Sequence, residues 1–409
     1  MYASLIVRAS LGLALAVGLA TPLKAQWVTT AEQFYPGGRW NWRFLTVHPD
    51  AARLFNAFDY GHAILYEVLW THPTVKAVPR LESREFDFLT QQLLVKPPRL
   101  PLTEEAIMPA YARVAPEAKM MFEWAHILHR QIYDIWSDVR LDEARKDAET
   151  QRILTTYLAR RDLAFSTKPK SMKLMQEMPY SLAFRQHYPK FNGLIWAYHW
   201  LQVGLYEPLI VASSAEERDR LVRATTDRFR AMIDSAPQHM PRVMPMTAAI
   251  APQFAARYPT IAIIFDNLHS MHDVISDILA NDSVPRRAKR SAIMLAAARY
   301  RDDTSFVMPD SAWRTMSIAM GVENQGGPAV GFTAAFPTPT VTRGTVMQHD
   351  DLTGRHIGMG WGEMIGGGHE HHQHMPAKPD TTSPVAMRLS CCRPAGPGAA
   401  PASRSRYGG

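Results

Sequence analysis

Only two of the 409 residues are cysteine, and they stand side by side as Cys391 and Cys392 near the C-terminus. That scarcity excludes a disulfide framework, a four-cysteine zinc site, an all-cysteine iron–sulfur cluster and C-x-x-C-H haem attachment within this chain. Long apolar runs are missing too. No segment reaches eighteen uninterrupted apolar residues, so no transmembrane helix is expected. Nor is there a block of one charge: 45 Lys and Arg are interspersed with 38 Asp and Glu. The net charge of +7 therefore gives little basis for nucleic-acid binding.

What remains is 46% hydrophobic and 20% charged, the balance of a globular chain with a substantial core. Residues 1–25 differ from the rest. Arg8 precedes an apolar stretch from Leu11 to Ala20, and Leu23-Lys24-Ala25 offers a cleavage site before Gln26. This predicts a signal peptide and an exported protein, periplasmic or secreted, with no anchor after cleavage. Residues 27 to about 50 are rich in aromatics and read as an ordered arm packed on the core.

Apolar periodicity then predicts a nearly all-α domain over 26–302. Helices are expected at 52–71, 83–95, 104–113, 116–147, 149–165, 191–212, 214–235, 247–257, 260–281 and 285–302, with Pro208 kinking or ending one of them early. Residues 303–376 read as an irregular region rich in Met, Gly and His, and 377–409 as a disordered tail.

Two stretches carry one spacing. Glu123-x-x-His126-x-x-His129 runs on to Asp134, and 143 positions later Asp266-x-x-His269-x-x-His272 runs on to Asp277. An acid and a histidine three apart lie about 60° apart on a helix, so both reach one ion. A second pair of stretches, Phe55–Leu69 and Ile195–Leu209, aligns without gaps 140 positions apart and shares Leu-Tyr-Glu-x-Leu around Glu67 and Glu207. The order predicts a duplicated two-helix unit with extra connecting helices, its halves at about 52–165 and 191–302. Asp59 and His199 fall eight residues before Glu67 and Glu207, and His62 aligns with Gln202.

In this order of ligands the chain resembles the ferritin-like di-iron and di-manganese carboxylate proteins, in which two helices each give a Glu and two others a Glu-x-x-His pair. The resemblance implies a four-helix core. It also implies a dinuclear site of Glu67, Glu123, His126, Glu207, Asp266 and His269, holding iron or manganese. Asp59, His62, His129, Asp134, His199, His272 and Asp277 are further ligands or neighbours of that set. Asp266 departs from the family by replacing Glu, and the extra histidines leave the metal open. The expected activity is that of an oxidoreductase activating dioxygen or peroxide on a small molecule or a metal ion, with Tyr66 and Tyr206 as redox residues.

A histidine-led set is the other arrangement. His62, His126, His129, His199, His269 and His272 make two groups of three, which suits a coupled dicopper site. His62-x4-Glu67, His129-x4-Asp134 and His272-x4-Asp277 also resemble the His-x4-Asp element of hemerythrin-like proteins. In the tail, His369, His371, His372 and His374 follow a Gly hinge and offer copper, nickel or zinc a flexible site. A non-catalytic metal-handling protein with a delivery or electron-transfer partner is the competing class. A helical scaffold with solvated polar stripes is the third.

Overall fold

The computed structural model describes residues 42–72, 77–101, 104–176, 183–235, 244–331 and 336, with short backbone pairings at 341–342, 345–346, 349–350 and 355–356. The expected signal peptide, most of the aromatic arm, the tail histidines His369, His371, His372 and His374 and the 377–409 tail lie outside the described residues.

The described chain is mostly helical. It begins with α1 (Arg43–Val47), α2 (Pro49–Thr71), α3 (Val78–Phe88), α4 (Glu104–Ile107), α5 (Pro109–Val114), α6 (Pro116–Ser137) and α7 (Glu143–Ala159). It continues through α8 (Lys173–Gln176), α9 (Ala183–His187), α10 (Pro189–Gly204), α11 (Tyr206–Val211) and α12 (Ala215–Ser235). Then come α13 (Thr247–Ile250), α14 (Pro252–Arg257), α15 (Pro259–Ala280), α16 (Arg286–Arg301) and α17 (Asp310–Ala319). Among the described residues no helix is long and apolar enough to cross a membrane.

Proline sets many of the boundaries. Pro49, Pro109, Pro116, Pro189, Pro252 and Pro259 each open a helix, where a fixed φ suits the first turn and the missing N–H costs nothing. Pro252 splits the expected 247–257 helix into α13 and α14. Pro208 has no N–H for the Gly204 carbonyl, and the expected 191–212 helix divides at Leu205 into α10 and α11. The expected 116–147 helix stops at Ser137 instead. A new one starts where the Asp142 carboxylate accepts the Arg145 N–H at 2.8 Å, an N-cap that makes a fresh start favourable. The expected 83–95 helix begins earlier, at Val78, and after Phe88 passes into a π-turn over Leu89–Leu93. The expected 149–165 helix starts earlier, at Glu143, and ends at Ala159.

The region after 303 is less irregular than its composition predicts. Helix α17 buries Trp313, Met316 and Ser317, and its C-cap Met320 is buried too, a stripe at helical spacing. Beyond residue 331 the described backbone pairs Val341–Thr342 with Thr345–Val346 and His349–Asp350 with Arg355–His356, both antiparallel.

The elements recur in size. Helices α4, α5 and α6 run 4, 6 and 22 residues, and so do α13, α14 and α15, 143 positions later. Helices α1 and α9, 140 positions apart, each have 5 residues. Helix α2 packs on α10 and α15, and α6 packs on α11 and α15. The approach of α2 to α10 is close because residue 61 is glycine: a Cβ there would stand 3.2 Å from Cε2 of the Tyr198 ring.

Candidate metal centre

Helices α2, α6, α10 and α15 bring six histidines into the core, and each is buried: His62, His126, His129, His199, His269 and His272. His199 lies near the middle. Its ring centroid is 4.2 Å from that of His269 and 5.3 Å from those of both His62 and His272. His62 and His272 stand 4.3 Å apart, and His199 Nε2 is 3.1 Å from His272 Nδ1. One ring nitrogen from each of His62, His199 and His272 lies within 4.8 Å of the other two. Among the described residues this is the one group of three or more His, Cys, Asp or Glu with that geometry.

Burial decides the protonation of these rings. It lowers His62, His129, His199 and His272 well below the ordinary imidazole range, His126 to about 4 and His269 to about 3. All six are neutral at pH 7, the form that ligates metals. Several nitrogens are also left over. One nitrogen of His62, Nε2 of His126, Nε2 of His129 and Nδ1 of His269 have no hydrogen-bond partner, and the other His62 nitrogen faces the Phe58 backbone. A buried polar atom without a partner is costly, and among these residues an ion at the group around His199 would relieve His62 alone. The chemistry of the donor set therefore fits a transition metal bound by three neutral imidazoles.

No family model, curated protein or solved structure matches this chain.

The carboxylates of the expected ferritin-like set are placed elsewhere. Glu67 accepts the N–H groups of Ala110 at 3.0 Å and Tyr111 at 3.0 Å. Glu207 accepts those of Gln253 at 3.0 Å and Phe254 at 3.2 Å. Each thus caps the first turn of a short helix, α5 or α14, whose N–H groups have no partner within the helix. Asp266 is bonded on both oxygens, Oδ1 by the Thr247 N–H at 2.9 Å and its hydroxyl at 2.7 Å, and Oδ2 by Trp313 Nε1 at 2.9 Å. Glu123 pairs with Lys119 at 2.9 Å. None of these four acids belongs to the group around His199.

The remaining acids and tyrosines have positions of their own. Asp134 accepts the Phe44 N–H at 2.7 Å and Asp277 that of Phe184 at 2.9 Å, so the two anchor the starts of α1 and α9. Asp59 pairs with Arg130 and lies 3.6 Å from His126. Tyr206 bonds His129 Nδ1 at 2.7 Å, and Tyr66 donates to the His272 carbonyl at 3.3 Å. The rings of Phe265 on His129 and Phe122 on His272, at 3.4 and 4.0 Å, wall the cluster.

Three polar partners were not singled out from the sequence. Gln202 Oε1 meets His269 Nε2 at 2.8 Å, although Gln202 showed only as a break in the alignment with His62. Glu104 reads as an ordinary first-turn acid, yet it is buried and 3.6 Å from His126 Nδ1. Arg130 follows His129 directly, and its guanidinium bonds Asn56 at 2.7 Å and lies over the Phe55 ring.

Proposed function

We propose that this chain is a metalloprotein in which His62, His199 and His272 hold a transition-metal ion, and that it is an oxidoreductase acting on dioxygen or peroxide. The observation that carries the reading is the buried trihistidine group itself, with a nitrogen of His62 unpartnered. Three neutral nitrogen donors favour copper or zinc over iron or manganese, so the histidine-led set is preferred to the carboxylate-led one. Copper would supply one-electron chemistry. The chain's own part is to hold the rings in a water-excluding shell of Phe58, Phe122 and Tyr66, and to leave the ion a coordination position beyond three ligands. Non-catalytic metal handling is the second reading, favoured by the complete burial of all three ligands.

An internal duplication is part of the same proposal. It is supported by contacts that recur at the sequence offsets: Glu67 and Glu207 as caps, Asp134 and Asp277 as anchors, and Tyr66 and Tyr206 each reaching the histidine carbonyl of the other half. Export, read from residues 1–25, belongs to the proposal as well.

The test is elemental analysis with optical and paramagnetic spectroscopy of the purified chain after incubation with copper, zinc, iron or manganese. One tightly held copper with nitrogen ligation, lost in His199→Ala, supports the reading. Less than one ion per chain under every condition, or an ion retained when His62, His199 and His272 are each replaced, overturns it.

A further inference from the structure

We propose that Tyr258 is the surface end of an electron path to the histidine cluster, running inward through Phe254 and Tyr206, with Asp147 as the group that takes its proton. The proposal deepens the oxidoreductase reading and rests on it. The rings form a continuous file. Tyr258 lies 5.6 Å from Phe254, Phe254 4.0 Å from Tyr206, and Tyr206 5.6 Å from His129, centroid to centroid. His129 stands 6.0 Å from His269, which is 4.2 Å from His199. Phe254 and Tyr206 are fully buried, whereas Tyr258 is half-buried at the start of α15 and Asp147 reaches solvent from α7.

A phenol yields an electron readily only if its proton has somewhere to go, and both phenols of the file meet an acceptor. The Tyr258 hydroxyl donates to Asp147 Oδ1, and the Tyr206 hydroxyl stands 2.7 Å from His129 Nδ1. Arg257 bonds Asp147 at 2.9 and 2.8 Å and holds its carboxyl below the usual range, so it is ionised. A phenol that has lost an electron is a strong acid, and such a carboxylate still takes its proton. Trp136, 6.0 Å from Tyr258, is the competing ring. The cations Lys146 and Arg257 stand over it at 5.3 and 4.6 Å, which opposes removal of an electron. Arg257 is near Tyr258 as well, at 6.0 Å, but there Asp147 takes a proton out with the electron.

As Tyr258 passes one electron inward, its O–H bond breaks and one forms on Asp147. The phenoxyl radical is then reduced by an external one-electron donor and regains the proton. Two such turns oxidise two donor molecules by one electron each and, with two protons from solvent, reduce one peroxide to two waters. The first half of the chain has no such outlet. The sequence offsets set Tyr66 where Tyr206 stands, Tyr111 where Phe254 stands and Ala115 where Tyr258 stands. Tyr66 and Tyr111 are 5.0 Å apart, but the Tyr111 hydroxyl is buried without a hydrogen-bond partner, and the buried Ala115 carries no ring on toward the surface.

The experiment is laser flash oxidation of the full-length chain. A ruthenium photo-oxidant is attached through Gln151→Cys, an exposed position one turn beyond Asp147, with Cys391→Ser and Cys392→Ser removing the native thiols. Transient absorption is expected to show a phenoxyl radical with a slow decay. Tyr258→Phe should abolish the radical, and Asp147→Asn should slow its formation about a hundredfold. Tyr206→Phe should remove the slow decay, because the radical then stays on Tyr258. A radical that persists in Tyr258→Phe, forms as fast in Asp147→Asn or decays alike in Tyr206→Phe and its parent overturns the path. If Tyr206→Phe does not fold, paramagnetic resonance of the parent decides. A radical hydrogen-bonded to an imidazole supports the proposal, and one confined to the phenol beside Asp147 overturns it. No metal is required, so the metal content of the same samples tests the oxidoreductase reading separately.

Discussion

His199 Nε2 and His272 Nδ1 face each other at 3.1 Å across the interior, from helices α10 and α15. Burial keeps both rings neutral, so without an ion one of them must donate its single N–H to the other. A metal ligated at these two nitrogens would replace that hydrogen bond with two ligand bonds. His272→Ala is therefore expected to abolish copper binding at this group. In the metal-free protein it should cost about 2–4 kcal/mol, because it empties space beside Phe122 and Tyr66. Denaturant unfolding with and without copper checks both: the variant should lose the copper-dependent gain in stability entirely.

Acid should release the metal late. Protons compete with an ion only where the free ligand binds them, and burial holds His62, His199 and His272 well below their ordinary 6.5. Copper retention followed against pH should stay flat through 6.5 and fall only well below it, whereas a solvent-exposed trihistidine site would begin to fail near 6.5. The same shifts set a sign for the metal-free fold. An unfolded histidine takes up its proton near 6.5, and the folded one does so only at about 4 for His126 and about 3 for His269. Their contribution to stability is thus complete above 6.5 and is lost as pH falls through that interval.

Glu67 and Glu207 separate the carboxylate-led ligand set from the histidine-led one. Glu207→Ala removes two bonds from the N–H groups of Gln253 and Phe254, and a stability loss of about 1–2 kcal/mol is expected. Glu67→Ala is expected to do the same at α5. Metal content should be unchanged in both. A drop in bound metal with the fold intact would restore these acids to the ligand set.

Tyr206→Phe deletes the hydroxyl bonded to His129 Nδ1 at 2.7 Å. It leaves a second nitrogen of that ring unpartnered, since Nε2 already is. A loss of about 1–3 kcal/mol is expected in thermal or urea unfolding. If Tyr206 also carries electrons, the variant should lose oxidase activity while keeping its full metal content.

Much of this architecture was legible in the chain, and the limits have physical causes. The helices, the six histidines and the 140 and 143 offsets follow from spacing alone. The helix breaks were readable as well, since Pro109, Pro116, Pro252 and Pro259 mark them, but periodicity averaged over a window blurs a one-residue step such as Ala251. The destinations of the acids were not legible. A Glu in an apolar helix serves an ion or a helix N-terminus equally well, and only the folded position of α5 or α14 shows which. Asp266 was opaque for a further reason: its partner Trp313 lies 47 residues on, on a helix in a region whose Gly and Pro content concealed it. Asp134 and Asp277, spaced like ligands, anchor Phe44 and Phe184.

The glycine at position 61 has a consequence for ion choice. It lets α2 lie against the Tyr198 ring, and the next residue on each helix is a ligand candidate, His62 or His199. The distance between those two imidazoles is inherited from a backbone-to-ring contact that no donor atom touches. For the proposed ion, the width of the nest, and so the radius that would fit it, would be gauged by a hydrogen atom standing where any other residue has carbon. Drift toward a larger ion would enter through Gly61 and Tyr198, with every histidine left in place.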